Sequence, residues 1–299
     1  MLGLSSVKQA IWATLPDAWA VGIQYRRAHG RFPDLRRPAT FTEKVQFRKL
    51  YDRDARMPLF ADKAKVKDLI SAMVGSRYVI PTLWTGRDVE TVDFDALARP
   101  FVIKPTHSCG QAIFVRETDV MDWNEVRARC HAWMDSLYGS RTREWLYGHI
   151  EPAVMIESMI GDGQTPPADY KFFVFHGRTQ LIQVDIQRFG DGQERAIYDA
   201  EWRRLAVQST YPDTRHEVHR PELLAEMKRV AEAIGSPFDF VRVDLYVVAG
   251  RVYFGETTFY PASGYARYRP DGFDAELGRH WHIDAKAPPA REQTAFSFG

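Results

Sequence analysis

The stretch Phe240 to Gly264, F-V-R-V-D-L-Y-V-V-A-G-R-V-Y-F-G-E-T-T-F-Y-P-A-S-G, constrains the fold more than any other part of the chain. Two runs rich in Val, Tyr and Phe flank an Ala-Gly-Arg break, which predicts a β-hairpin. Val241, Val243 and Leu245 alternate with Arg242, Asp244 and Tyr246, so one face is apolar and the other carries charge. A loop with an odd number of residues, such as Ala249-Gly250-Arg251, sets Asp244 opposite Glu256 on the polar face, whereas an even loop puts them on opposite faces. Directly opposed side chains have Cβ atoms roughly 4.5–5.5 Å apart, where like charges repel, so something positive belongs between the two acids. A hard divalent cation that takes its remaining oxygens from phosphates and water is one solution. The other is a solvated face on which the acids pair with Arg242 and Arg251.

A chain of 299 residues is long enough for one large or two ordinary domains. With Lys+Arg 40 against Asp+Glu 39 the net charge is +1, so the overall balance gives no reason to expect nucleic acid or an anionic membrane as partner. The expected partner is a small molecule. Two cysteines, Cys109 and Cys130, suit a reducing compartment. The first residues lack signal-peptide regions, and the apolar stretch Ala10 to Gln24 is interrupted by Pro16 and Asp17 and too short to span a bilayer. The reading is a cytoplasmic protein with no transmembrane segment.

Along the chain, residues 1–61 read as helical and basic, with Arg26, Arg27, Arg31, Arg36 and Arg37 among turn signals. Thr40-Phe41-Thr42-Glu43 is a capping start for a helix from Glu43 to Tyr51. A helix from Ala64 to Met73 and a strand from Tyr78 to Trp84 follow. Phe101 to Lys104 is a short buried strand ending in a lysine, and Ala112 to Arg116 returns as another. The small, polar loop between them lets backbone N–H groups approach a phosphate while Lys104 neutralises its charge. Neither the P-loop nor the dinucleotide fingerprint is present. Residues 121–150 are a Trp-rich helical region, Ala153 to Ile160 is a strand, and Asp169 to Gly177 and Gln180 to Phe189 form a second hairpin joined by residues 176–179. Glu222 to Ile234 is an amphipathic helix, and residues 285–299 read as a loose tail.

The order of these parts resembles the ATP-grasp superfamily. More narrowly, T-F-T-E-K-V-Q-F-R-K-L-Y-D, F-V-I-K-P-T-H-S-C-G, D-Y-K-F-F-V-F-H-G and F-V-R-V-D-L-Y with F-G-E-T-T-F-Y-P-A-S-G resemble the TupA-like ATP-grasp proteins of bacterial polysaccharide and teichuronopeptide biosynthesis. The resemblance runs over about residues 33–283. It implies an α+β fold in which two subdomains with antiparallel sheets, 62–160 and 161–284, clasp a nucleotide, with 1–61 as a helical substrate-side segment.

It also implies roles, with ATP and Mg2+ as cofactors. Lys63 and Lys104 would contact phosphates, and the loop with His107, Ser108, Cys109 and Gly110 would fold over them. Glu157, Ser158 and Met159 would form the adenine hinge, Asp169 would take a ribose hydroxyl, and Lys171 on the same face could reach the nucleotide. Asp244 and Glu256 would carry magnesium, with Thr258 standing where the superfamily commonly has Asn. Arg188, Arg195 and Arg242 are candidates to clamp the substrate carboxylate and an acyl phosphate, because a guanidinium fork fits both. Tyr260, Ser263 and Tyr265 would line the acceptor pocket. The activity implied is an ATP-dependent carboxylate–amine ligation on a surface polysaccharide or sugar uronate, where contact with a membrane-linked glycan is compatible with the basic N-terminal segment. A glycan phosphotransferase and a non-catalytic nucleotide-binding assembly factor are the alternatives.

Overall fold

Two antiparallel sheets carry the architecture of the computed structural model, which describes residues 12, 14–161, 167–186, 193–214 and 218–283. The first sheet takes β1 (Thr82–Gly86), β2 (Phe101–Pro105), β3 (Ile113–Val115) and β4 (Val154–Ser158) in the order β1-β4-β2-β3. The second takes β5 (Asp169–Phe175), β6 (Arg178–Ile186), β7 (Glu194–Asp199), β8 (Phe240–Val248) and β9 (Arg251–Thr258) in the order β7-β6-β5-β8-β9. Helices α1 (Asp17–His29), α2 (Phe41–Tyr51), α3 (Arg56–Ala61) and α4 (Val66–Val74) precede the first sheet. Helix α5 (Trp123–Met134) interrupts it, α6 (Leu224–Gly235) precedes β8, and α7 (Gly272–Arg279) follows β9.

Most differences from the sequence reading are at element ends and have local causes. The Thr40–Glu43 capping box forms, so α2 begins at Phe41, two residues earlier than expected. The expected strand from Tyr78 is shortened to Thr82–Gly86, because Ser76–Tyr78 closes as a 3-10 turn and Pro81 has no N–H to give a ladder. Both hairpins turn through two residues with positive φ, Ala249-Gly250 at 47° and 70° and His176-Gly177 at 47° and 74°. That geometry matches the twist of the flanking strands.

The two faces of the second sheet differ. Phe172 and Val174 with Val241, Val243 and Leu245 lie on one face under α6, where Met227, Val230, Ala231 and Ile234 are buried. At Gly235 a Cβ would fall 2.6 Å from the Val174 side chain, so only glycine lets the helix end this close. On the opposite face, Phe175 and Phe240 at one end meet Phe41 and Trp281 in an aromatic group. Towards the other end the same face changes to Arg242, Lys171, Asp244 and Asp169. Arg48 on α2 is buried, lies 4.4 Å above the Trp281 ring, and donates to the Phe240 carbonyl at 2.7 Å and to Asp239. The N-terminal helix is thus bound into the sheet that carries the charged residues. A smaller core under the first sheet joins Phe101, Ile103, Val154 and Ile156 to Val126, Cys130 and Trp133 of α5.

Candidate functional site

Asp244 and Glu256 are directly opposite one another in the β8–β9 ladder. An odd loop was expected to set the two acids face to face, and the loop has two residues. The pairing is recovered by a bulge: Leu245 faces Phe254, Asp244 faces Glu256, and Gly255 is the extra residue between. A side chain there would meet the Tyr246 ring at 2.8 Å and the Asp244 carbonyl at 3.1 Å.

The positive group between the acids is Arg242. Its guanidinium binds both Asp244 oxygens at 2.7 Å, the Thr258 hydroxyl at 2.9 Å, and lies 3.5 Å from Glu256. Burial works against this charge, but Asp244, Glu256 and Asp169 more than offset it and hold the group above the ordinary arginine range. Arg251 has no part in it, donating instead to the Arg77 carbonyl at 3.2 Å. Lys171 lies on the far side of Asp244, 2.7 Å from its carboxylate and hydrogen-bonded to Asp169 as well. Asp169 therefore faces its own strand's lysine. One strand further, Arg195 forks onto Asp185 at 2.6 and 3.0 Å, with Gln183 donating to the same carboxylate. Burial would raise the Asp185 carboxyl, and Arg195 with Lys171 and Arg242 lowers it overall. Both candidate arginines are thus engaged by aspartates in this structure, and Arg188 lies outside the described residues.

Three further lysines lie at and around the first sheet. Lys104 at the end of β2 and Lys67 on α4 share Glu157, Lys104 on one oxygen and Lys67 at 2.8 Å on the other. Lys67 also donates to the Ile80 carbonyl at 2.8 Å and to Thr82. Burial pushes the Glu157 carboxyl up, and the two lysines more than cancel this and hold it below the usual range. At the strand end expected to border adenine, the Ser158 and Met159 amides donate to the carbonyls of Pro81 and Pro100, each at 3.0 Å. Lys63 bonds to the Ser108 carbonyl in the loop after β2 and stands 3.8 Å from Glu256. In that loop Ser108 donates to Gln111 at 2.6 Å, Gly110 has φ 77°, and Cys109 lies 3.7 Å from the Tyr147 hydroxyl. The His107 ring is buried against the Trp133 carbonyl at 3.1 Å, and burial with the nearby Lys63 lowers its pKa, so it is a structural support of the loop.

The family model of TupA-like ATP-grasp proteins matches residues 43–282, nearly the whole of the described structure. The chain belongs to the TupA-like ATP-grasp family. No curated protein matches it. Among solved structures, this ATP-grasp protein is similar to a D-alanine–D-alanine ligase from Bacillus anthracis complexed with ATP, at 15% identity and TM-score 0.40, over 67% of this chain and 54% of that one. It is also similar to an L-amino acid ligase from Bacillus licheniformis, at 14% identity and TM-score 0.44, over 75% and 49%. A third is the ATP-grasp ligase PsnB complexed with minimal precursor, Mg and ADP, at 14% identity and TM-score 0.38, over 69% and 52%. The matches span about half the length of these ligases.

In this ATP-grasp protein the segment after β9 contains the remaining predicted residues. Tyr260 is buried and Ser263 and Tyr265 are half-buried, and the Tyr260 and Tyr265 hydroxyls are enclosed with no hydrogen-bond partner among the described residues. Ala262 and Ser263 have φ 46° and 55°, a left-handed conformation rare for residues with a Cβ. Lys49 of α2, 1% exposed, holds the turn by donating to the Ser263 carbonyl at 2.6 Å, its hydroxyl at 2.7 Å and Gln46 at 3.0 Å. Sequence reasoning missed Lys49, Lys67 and Asp185. A lysine one helical turn beyond Lys63 and the Gln-x-Asp alternation of β6 were the available signals for the last two. Among the described residues no three His, Cys, Asp or Glu side chains converge as a metal site.

Proposed function

We propose that the protein is an ATP- and Mg2+-dependent ligase that joins a carboxylate to an amine through an acyl phosphate. One observation carries this reading: Lys63 bridges the Ser108 carbonyl of the β2–β3 loop and Glu256 of the hairpin, so the loop read as phosphate-binding and one of the two hairpin acids meet on a single cation. The Asp244, Glu256 and Thr258 oxygens converge on the Arg242 guanidinium, which marks a place built for positive charge. All three are hard oxygen donors, and two carboxylates with oxygens left to phosphate suit magnesium. When bound, the metal supplies charge that offsets the phosphates and polarises the transferring phosphoryl group.

The chain's own residues do the rest. Lys63 and Lys104 hold the β- and γ-phosphates under the His107–Gly110 loop, and Glu157 keeps Lys67 as partner when Lys104 turns to a phosphate. The Glu157–Met159 strand end borders the base, and Asp169 takes the ribose. Arg242 and Arg195 steady the acid and its acyl phosphate by forked hydrogen bonds. The acceptor enters beside Tyr260, Ser263 and Tyr265. No helix among the described residues is long and apolar enough to cross a membrane. The need for ATP supports a cytoplasmic reaction, and the family supports a polysaccharide, sugar uronate or amino acid as substrate.

The test is ADP release with ATP, Mg2+, hydroxylamine and a panel of D-glucuronate and the common L-amino acids. An acyl phosphate is trapped as a hydroxamate, whereas a phosphate ester is not. Lys104→Ala and Asp244→Asn are expected to lose ADP release while keeping the wild-type circular dichroism spectrum. Full turnover in both variants would overturn the site.

A further inference from the structure

The mechanism above leaves Lys49 without a function, although it is the most enclosed amine near the proposed acceptor entrance. Its Nζ lies 2.7 Å from the Ser263 hydroxyl and 4.3 Å from the centre of the Tyr265 ring. The turn that presents Ser263 is held in an unusual conformation by two α2 side chains, since Gln46 also donates to the Ser263 and Gly264 carbonyls at 3.0 and 3.1 Å. At Gly264, φ 68°, a Cβ would fall 2.2 Å from the Gln46 amide, so the turn and helix are fitted closely. A fold that needed only an anchor here had no reason to keep two left-handed residues, since such backbone strain persists where the surroundings over-determine it and clusters at functional sites.

The Glu144 carboxylate acts on Lys49, Tyr260 and Tyr265, and also on Tyr138 and Tyr147 beside Cys109 of the phosphate loop. Tyr138 also feels the charge of Glu256. The Tyr260 and Tyr265 hydroxyls are buried with no hydrogen-bond partner among the described residues.

Resting on the ligase reading, we propose that Lys49 is a positioning residue that receives the acceptor amine's proton by way of the Ser263 hydroxyl. The acceptor nitrogen forms a bond to the acyl carbon, and the carbon–oxygen bond to phosphate breaks with its electron pair leaving on the phosphate. The nitrogen's proton passes to Ser263 Oγ, whose own proton passes to Lys49 Nζ. Lys49 then returns a proton through the same hydroxyl to the departing phosphate, which restores every group. Such a relay needs an amine that is neutral near physiological pH. Burial brings Lys49 down to about 7 against the opposing charge of Glu144. The groups that face it are Glu144 from the loop before β4, Ser263 and Tyr265 from the turn after β9, Gln46 on α2, and Arg53, which donates to the Lys49 carbonyl from beyond the end of α2.

Hydroxylamine separates this inference from the one beneath it, because it is a neutral amine at pH 7 and attacks an acyl phosphate without a base. With D-glucuronate and the common L-amino acids as acids and as acceptors, Lys49→Met and Lys49→Arg should cut amide formation about a hundredfold or more while hydroxamate formation stays within about twofold of wild type. Wild-type amide formation should rise through about pH 7, and Lys49→Met should lose that rise, while the hydroxamate rate stays flat in both. Amide formation within threefold of wild type in the Lys49 variants, or a parallel fall of the hydroxamate, overturns the relay. A wild type that yields neither product counts against the ligase reading alone. In that case NMR of 13C-labelled lysines still decides: a Lys49 amine that titrates in the ordinary lysine range overturns the relay by itself.

Discussion

Asp244 faces Glu256 across the β8–β9 hairpin because Gly255 bulges out of the ladder between Phe254 and Glu256. An unbroken two-residue hairpin in this sequence would set Gly255 against Asp244 and send Glu256 to the apolar face. The bulge is therefore a condition of the site, and the absence of a side chain at 255 is a condition of the bulge.

Gly255→Ala tests that dependence. The new methyl would lie 2.8 Å from the Tyr246 ring and 3.1 Å from the Asp244 carbonyl. Overpacking of this kind costs about 1–3 kcal/mol, and the expected result in differential scanning calorimetry is a Tm lowered by several degrees. An unchanged Tm would mean that the strand can absorb a side chain there.

Glu157 is enclosed between two lysines, and removing its charge should be felt in stability as well as in nucleotide binding. Glu157→Gln leaves Lys67 and Lys104 without their shared counter-charge, at a cost of about 3 kcal/mol in urea unfolding at neutral pH. The folded carboxyl is held below its unfolded value, so its contribution is full above that value and is lost as the pH falls through the folded one. The acid branch of the stability curve should thus be shallower in the variant. Parallel acid branches would assign the sensitivity to other carboxylates.

Lys49 gives a slope of the same sign in a higher pH window. Its folded amine is brought to about 7 from 10.5, so between these values the unfolded chain holds a proton that the folded chain lacks. Stability must then rise with pH across that window, because the unfolded state binds more protons. Thermal unfolding measured from pH 7 to 9 should show this rise in the wild type and lose it in Lys49→Met. A rise of equal size in both proteins would place the titration elsewhere.

The hairpins, the α2 capping box and the buried strand ending in Lys104 were legible in the sequence, because alternation, turn residues and cap spacing are local signals. Facing of Asp244 and Glu256 was legible only as a condition on loop parity. Ala249-Gly250-Arg251 does not declare whether the arginine is in the loop, and a bulge five residues on reverses the answer. Lys67 and Lys49 were not legible. Each looks like an ordinary helix lysine, and their partners Glu157 and Ser263 are 90 and 214 residues away along the chain. Arg195 and Arg242 were read as forks for the substrate carboxylate and acyl phosphate, and the carboxylates they hold here are Asp185 and Asp244.

Lys63 touches both the loop after β2 and the hairpin acid Glu256. The loop and the β8–β9 hairpin are therefore tied through one side chain. Cover and floor answer to the same ammonium group, and a variant that loosens one should be read for its effect on the other.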